Sequence, residues 1–283
     1  MSLKYKLSEN FRKITIPIHL LFFCSLYLLF IKKVEGFNVI GFLIFWSIFS
    51  GLGIAIGYHR LLSHKSFKCK VFVKRALATF GLFAGQGSPI FWTATHRGLH
   101  HPYSDTKKDP HSPQNGFFHS FIGWQLSFGK KDFNIKHAIE LVRDPYLKFI
   151  SMQYHKIYWL FVVGSLLIDW KFALLTIIPA MILATHQENI VNTFCHLKKL
   201  GYRNFNTNDY SNNIWLFGII FWGQGLHNNH HKYPRFWNFA VKWWEFDPCS
   251  LIIPLISTDL PEQQMLSESN FKDTQVSNLT TDS

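Results

Sequence analysis

Long apolar stretches alternate with polar segments along this chain. Ile14–Ile31 is almost entirely apolar, with His19 as its one titratable residue, and Phe37–Tyr58 is a second stretch without charge. A helix of about 18 residues spans roughly 27 Å, close to the hydrocarbon thickness of a bilayer. Because only a short turn separates the two stretches, they predict a hairpin of membrane-spanning helices at about 14–32 and 37–58.

A second pair of apolar stretches lies beyond the middle of the chain. Tyr158–Ile168 and Phe172–Thr193 are separated by only three residues. The first is short, so its helix is expected to begin in the 150s. The pair predicts a second hairpin, with spans at about 155–168 and 172–193.

The apolar stretch Val71–Trp92 follows a different pattern. Lys74 and Arg75 interrupt its start, and it also contains three glycines and a proline. Both a spanning helix and an amphipathic helix at the membrane interface are compatible with it, and the early charges favour the interfacial helix. Trp215–Trp222 is too short to span a bilayer and is expected to pack or to lie at the interface.

The remaining segments are polar. Residues 59–154 and 194–261 are predicted to lie outside the bilayer, and 262–283 is predicted to be a disordered polar tail. The predicted fold is an all-α integral membrane protein. One domain, 1–261, has four transmembrane helices in two hairpins and a helical cap that carries a histidine-ligated di-metal site.

The distribution of basic residues predicts the orientation. Four spans place both termini on one side, and the positive-inside rule makes that side the cytoplasm because basic residues precede the first span: Lys4, Lys6, Arg12 and Lys13. The cap and its site are then cytoplasmic. No small-residue cleavage site follows the first apolar stretch, which is therefore expected to be a retained anchor and not a signal peptide.

Composition and charge narrow the class of protein further. Hydrophobic residues make up 48% of the 283 residues and charged residues only 16%, against about 25% in soluble domains. The net charge is +12, and the basic residues responsible for it lie beside apolar stretches. This distribution indicates binding to anionic lipid headgroups or to an anionic substrate, and not to nucleic acid. The four cysteines form no C-x-x-C pair, so neither a disulfide scaffold nor a thiolate metal site is indicated.

Histidines supply the candidate chemistry. Eight of the fifteen lie in three clusters: His59 and His64; His96, His100 and His101; His227, His230 and His231. Residues four apart share a helix face, so His96 is expected to point with His100, and His227 with His231. An adjacent pair such as His100 and His101 can serve two metal ions. His59 and His64 diverge on a straight α-helix, so they either bind different ions or the helix ends between them.

The number of histidines indicates the kind of site. A single zinc ion needs three or four ligands, whereas eight imidazoles suffice for two ions. No Glu-x-x-His motif of the soluble di-iron bundles occurs. Isolated histidines are usually solvated or hydrogen-bonded, and four are interpreted in this way: His19, His137, His155 and His186.

Three motifs resemble the histidine boxes of the membrane fatty acid desaturases. They are H-R-L-L-S-H at 59–64, W-T-A-T-H-R-G-L-H-H-x-Y-S-D-T-x-x-D-P-H-S-P at 92–113, and G-x-G-L-H-N-N-H-H at 223–231. The resemblance covers roughly residues 40–250. It is strongest to the acyl-CoA delta-9 (stearoyl-CoA type) desaturases and their bacterial relatives. The second box departs from the usual H-R-x-H-H by one extra residue, at Gly98–Leu99.

The resemblance implies a ligand set for two iron ions. It implies that the eight clustered histidines and His196 are the nine ligands, and that Asn192 holds a metal-bound water. Asp109 and His111 form either a simple loop turn or a pair that orients ligand imidazoles through hydrogen bonds. By position, Trp92, Gly123 and Trp124 are candidates for the wall of an acyl tunnel, or for interfacial anchors.

The activity implied is O2-dependent insertion of a cis double bond, expected at delta-9, into a saturated acyl chain. The acyl carrier stays open between coenzyme A, acyl carrier protein and intact lipid. The chain has no flavin, nicotinamide or haem motif, so an external donor such as cytochrome b5, rubredoxin or ferredoxin is implied. Two alternatives are a hydroxylase or oxygenase with the same site, and a divalent-metal transporter, which would place ionisable residues near the middle of its spans.

Overall fold

The structure is a computed structural model that describes residues 7–33 and 36–262, and it is built almost entirely of helices. In chain order they are α1 (Phe11–Phe30), α2 (Val39–His64), α3 (Val71–Leu82), α4 (Pro89–Thr95), α5 (His101–Tyr103), α6 (Phe117–Phe121), α7 (Ile139–Arg143), α8 (Pro145–Met152), α9 (Tyr154–Ile168), α10 (Trp170–Phe194), α11 (Trp215–Ile220), α12 (His227–Lys232) and α13 (Cys249–Ile256). Two short strands, β1 (Lys68–Cys69) and β2 (Ser257–Asp259), pair antiparallel.

Parts of these helices are wound as π-helix, with hydrogen bonds between residues five apart. The π segments are Phe11–Thr15 in α1, Ser47–His64 in α2, His96–His100 between α4 and α5, and Ala173–Ile177 in α10. Short 3₁₀ turns occur at Pro113–Asn115, Gly123–Leu126 and Ile135–Ala138. Two of the π segments, in α2 and before α5, carry predicted site residues.

Three helices in the described part of the chain are long and apolar enough to cross a membrane: α1, α2 and α10. The fourth predicted span corresponds to α9, whose 15 residues give about 22 Å of helix, less than a bilayer core of about 30 Å. Many large apolar side chains of α1 and α9 are exposed, including Phe23, Phe30, Leu160 and Ile168. An apolar outer surface of this kind is typical of helices that face lipid.

The helix of the second predicted span extends beyond the predicted span. The prediction ended it at 58, with His59 just beyond the helix, whereas α2 continues through His64. It ends where Lys65 adopts a left-handed conformation, with φ 54° and ψ 40°. The polar residues at 59–64 stay helical because their backbone groups are bonded within the π turn and their side chains are enclosed by the cap.

Helix α2 lies at the centre of the molecule and packs closely on α3. A Cβ atom built on Gly53 would lie 2.5 Å from the backbone N of Gly81, and one on Gly81 would lie 2.4 Å from the ring of Tyr58. Both glycines therefore allow an approach that no larger residue would. Phe49 in α2 extends the contact to α9, where its ring centroid lies 5.7 Å from that of Phe161.

A buried ion pair joins α2 to the C-terminal segment. Arg60 Nη2 donates to Asp247 Oδ2 at 2.6 Å, and both side chains are fully buried. The guanidinium also lies over the ring of Phe239, 3.7 Å from its centroid. Because His59 precedes Arg60, this anchor fixes the end of α2 that carries predicted site residues.

Some predictions fall on residues outside the described part. These are the disordered tail beyond Glu262, the basic residues Lys4 and Lys6, and part of the first interhelix turn. The stretch Val71–Trp92 forms the 12-residue helix α3, a break, and the start of α4. It is not among the candidate spans found in the described residues.

Candidate metal centre

The nine predicted ligand histidines converge in two groups. The first group consists of His59, His64, His96, His101 and His230, and the second of His100, His196, His227 and His231. Within each group the possible ligand nitrogens all lie within 4.8 Å of one another. Residues up to 172 positions apart in sequence thus meet in one place, at the ends of α2 and α10 and in the cap.

Adjacent histidines supply both groups. His100 belongs to the second group and His101 to the first, with ring centroids 5.4 Å apart. His230 and His231 divide in the same way, 5.5 Å apart. Consecutive side chains on a helix point about 100° apart, so each pair reaches two neighbouring sites.

Helix winding decides which histidines share a group. His59 and His64 lie in the same group with ring centroids 4.8 Å apart, so the prediction that they diverge is wrong. Residues five apart point about 140° apart on an α-helix, but a π turn brings them onto one side. For the same reason His96 groups with His101 and not, as its α-helical spacing predicts, with His100. His227 and His231, on the α-helical α12, do share a group.

Carboxylates fix the protonation of three histidines of the second group. Nδ1–H of His100 donates to Asp109 at 3.0 Å, that of His196 to Asp105 at 2.8 Å, and that of His231 to Asp209 at 2.6 Å. A carboxylate only accepts, so the proton lies on Nδ1 and the lone pair on Nε2. In the first group, His59 Nδ1 lies 2.7 Å from Oε1 of Gln224, which imposes the same tautomer.

The Nε2 atoms crowd together inside each group. His59 and His230 place theirs 2.9 Å apart, and His64 and His96 also 2.9 Å apart. In the second group the corresponding distance is 3.0 Å between His196 and His227.

Neutral imidazoles with their lone pairs turned inward repel one another unless a cation lies between them. His100 Nε2 is also buried without a hydrogen-bond partner. The donor set, all imidazole, suits iron, zinc, copper or nickel. The residues therefore fit two bound transition-metal ions.

Burial keeps the cap histidines neutral. It lowers the pKa of His96, His100, His101, His227 and His230 well below the ordinary value. His196 differs: burial lowers its pKa, but the hydrogen bond to Asp105 and the charges of Asp105 and other acids outweigh burial and raise it. A neutral imidazole is the form that binds a metal ion.

Asp109 and His111 play different parts in the structure. Asp109 is buried, orients His100, and also accepts from the backbone N–H of His111 at 3.2 Å. His111 packs against the ring of His100, with centroids 4.4 Å apart, and its own Nδ1 has no hydrogen-bond partner. Asp109 thus makes the orienting bond that the sequence suggested, whereas His111 makes a ring contact.

A pocket opens beside both groups. Histidines of each group reach it: His59 and His96 of the first and His227 of the second. Four aromatic side chains form much of its wall: Phe91, Trp92, Trp124 and Phe128. Asn192 lines it too, next to the groups. Trp92 and Trp124 were predicted from the sequence, and Gly123 is not among the lining residues described.

Sequence reasoning missed three of the four residues that hydrogen-bond Nδ1 of a ligand histidine. Asp105 lies in the second motif but was not singled out, and Asp209 and Gln224 were not considered. Asp209 lies in a loop far in sequence from the histidine motifs, so no spacing rule could have identified it. The sequence offered only the general expectation that ligand imidazoles are oriented by hydrogen bonds to carboxylates, without showing which carboxylates these are.

The isolated histidines stay outside the centre. His19 and His186 contact each other, with Nε2 atoms 2.8 Å apart, and His137 packs against Gly98. His155 lies 3.8 Å from Glu9. None of the four joins a cluster of three or more possible metal ligands in the described residues.

Comparisons with known proteins agree with this geometry. Residues 37–263 match the fatty acid desaturase family model. The chain is 36% identical to the sn-2 palmitoyl-lipid 9-desaturase of Nostoc sp. (strain 36) over 234 residues, covering 79% of this chain and 80% of the relative.

Two other relatives extend the comparison to different carriers. The sn-1 stearoyl-lipid 9-desaturase of Anabaena variabilis is 33% identical, covering 77% of this chain and 79% of its own length. The acyl-CoA C20 Delta5-desaturase of Anemone leveillei is 32% identical, covering 84% and 78%. The matched region contains both histidine groups. On this evidence the chain belongs to the fatty acid desaturase family and is an oxidoreductase that desaturates acyl chains.

Proposed function

We propose that this protein inserts a cis double bond, at delta-9, into a saturated acyl chain in an O2-dependent reaction at a di-iron centre. The observation that supports the proposal is the convergence of nine imidazoles in two adjacent groups. The first group would hold one iron ion and the second the other, with Asn192 holding a water ligand. Bound iron would supply, with O2, an oxidant strong enough to remove hydrogen from unactivated methylene groups.

The protein's own part is to place the chain and exclude water. Phe91, Trp92 and Phe128 offer an apolar wall along which an extended acyl chain can pack. Carbon atoms of that chain would lie beside the histidines of both groups, since the pocket reaches both. A buried pocket also shields the reacting carbons from bulk water.

The overall reaction needs electrons that this chain cannot supply. One saturated chain, one O2, two electrons and two protons give one unsaturated chain and two water molecules. The electron donor would be a separate protein such as cytochrome b5, rubredoxin or ferredoxin. Its docking surface would belong to the cap, nearest the two histidine groups.

The membrane arrangement follows from the helices. The helices α1, α2 and α10 would span the bilayer, and α9 would complete a second hairpin with α10, tilted or in locally thinned lipid. The basic residues that flank α1 support a cytoplasmic cap. An acyl chain attached to a membrane lipid or to a carrier at the surface could then enter the pocket from the bilayer side.

The same metal site could give either a desaturated or a hydroxylated acyl chain, so the product has to be measured. A hydroxylase would use the same imidazoles, and it differs in adding one oxygen instead of removing two hydrogens. The names of the relatives, two of which are 9-desaturases, support desaturation at delta-9. The acyl carrier is proposed to be lipid or coenzyme A, as in these relatives, with acyl carrier protein as the remaining possibility.

Expression in a host that lacks its own acyl desaturase tests the proposal. Fatty acid analysis of the membranes should show a cis-monounsaturated chain, two mass units lighter than its precursor, only when O2 is supplied. His230→Ala removes a ligand from the first group and should abolish the product, whereas His119→Ala, outside both groups, should retain it. A product sixteen mass units heavier, or full activity of His230→Ala, would contradict the proposal.

A further inference from the structure

Four of the ligand histidines have a hydrogen-bond partner on Nδ1, and for one of them the partner is an amide. His100, His196 and His231 each donate Nδ1–H to a carboxylate. His59 instead meets the side-chain amide of Gln224, at 2.7 Å. A carboxylate presents oxygen whichever way it is turned, but an amide presents either oxygen or NH2.

The orientation of the Gln224 amide therefore matters to the first group. With Oε1 toward His59, the imidazole keeps its proton on Nδ1 and leaves Nε2 free. If the amide were turned by 180°, its NH2 would face Nδ1 and force the proton onto Nε2, the atom that faces the group. His59 would then be unable to bind a metal ion.

A buried acid fixes that orientation. Nε2 of Gln224 donates to Oε1 of Glu188 at 3.0 Å, and both side chains are buried. Turning the amide would bring its oxygen against the carboxylate oxygen, so the two would repel. The contacts form a directed chain from Glu188 through Gln224 to His59.

Glu188 makes no ion pair with a Lys or Arg in the described part of the chain. The nearby guanidinium of Arg60 is bound to Asp247 instead. Its other recorded partner is the amide of Gln187, at 3.4 Å. An ionisable residue in a membrane-spanning helix is costly, and it is usually kept for function. Glu188 lies in α10, one helical turn before Asn192, and lines the same pocket.

We propose that Glu188 is a positioning residue of the metal centre, which acts through Gln224 to hold His59 in its metal-binding tautomer. This inference rests on the proposed di-iron function. It predicts that what matters at position 188 is an acceptor for the Gln224 NH2. It also predicts that an acid placed directly on His59 makes Glu188 dispensable.

Four variants of the full-length chain, purified in detergent, test the inference by iron affinity in competition with a chelator. Glu188→Met removes the acceptor at similar length and should weaken iron binding 10- to 100-fold. Glu188→Gln can turn either its oxygen or its NH2 toward Gln224, so it should weaken iron binding less than Glu188→Met does. The double variant Glu188→Met with Gln224→Glu presents a carboxylate to His59 and should recover most of the lost affinity.

The matched control is Thr185→Val, which removes a buried hydroxyl from the same helical turn that bonds Ala84 and not Glu188, and it should leave iron affinity near wild type. A purely structural role for Glu188 would not be rescued by a change at Gln224. The inference is overturned if Glu188→Met binds iron as tightly as wild type, or if adding Gln224→Glu to it recovers nothing. If the wild-type protein binds no iron, both the proposed function and this inference fail. If the wild-type protein binds two iron ions but the double variant recovers no affinity, only this inference fails.

Discussion

At the scale of single residues, the second histidine group depends on acids that fix the imidazole protons. Asp209 is the clearest case, because it accepts from Nδ1 of His231 at 2.6 Å. Burial by itself would raise the pKa of Asp209, but hydrogen bonds from His231, Ser211 and Thr207 outweigh burial and hold the pKa well below its ordinary value. Asp209 is therefore a carboxylate at neutral pH, and His231 keeps its proton on Nδ1.

Asp209→Asn tests this role. The amide can turn its NH2 toward His231 and favour the wrong tautomer, so iron retention should fall about 10- to 100-fold. The measurement is iron per chain after dialysis against a chelator. Asp132→Asn, at an exposed turn, should keep wild-type iron content, and an unchanged content in Asp209→Asn would show that the acid does not orient the ligand.

The sequence predicted the ligand residues better than their partners. Repeated spacing and the resemblance identified all nine histidines that the structure brings together. Asp209 comes from a loop outside the motifs, and Gln224 is the unspecified position of the third motif. The roles of both depend on how the chain returns to the site. A single acid or amide in a loop carries no signal of its partner until the fold is known.

At the scale of helices, close approach of α2 and α3 supports the first histidine group. Gly53 lies so near the backbone of Gly81 that an added Cβ would come within 2.5 Å of its nitrogen. Backbone atoms cannot move aside as a flexible side chain can. Any larger residue at Gly53 must therefore push the two helices apart.

Gly53→Ala should destabilise the protein by about 1–3 kcal/mol, in the range of an overpacked core. Gly164→Ala is the matched control, because Gly164 lies within α9 and a Cβ there would meet nothing within 4 Å. Alanine in a helix interior should be neutral or stabilise by up to about 1 kcal/mol. Thermal unfolding in detergent measures both, and equal effects would contradict the packing described for α2 and α3.

Apolar patterns predicted the helices but not their winding. The expected spans correspond to α1, α2, α9 and α10, with limits that differ by up to six residues. The length of an apolar stretch does not show whether its backbone hydrogen bonds join residues four apart, as in an α-helix, or five apart, as in a π-helix. The π turns at Ser47–His64 and His96–His100 were therefore missed, and with them the grouping of His64 with His59 and of His101 with His96.

At the scale of the whole molecule, one buried ion pair connects the end of α2 with the C-terminal segment. Asp247 binds Arg60 and also accepts from the backbone N–H groups of Phe239 and Cys249. An uncompensated charge in this interior would be costly. The pair thus holds the third histidine motif, on α12, in position against the first.

Asp247→Asn leaves Arg60 buried without its counter-charge and should destabilise the protein by about 3–5 kcal/mol. Asp259→Asn breaks an exposed ion pair with Lys68, which also links distant parts of the chain. It should change the free energy of unfolding little. Thermal unfolding compares the two variants. A similar loss in both would show that the buried pair is not what joins these segments.

The metal content of the whole protein tests the central claim most directly. The protein should be purified in detergent from cells grown with iron, and its metals counted by mass spectrometry alongside desaturase activity. The two histidine groups predict close to two iron ions per chain, reduced in His230→Ala and Asp209→Asn together with activity. An active preparation that contains zinc and no iron, or no metal at all, would contradict the account.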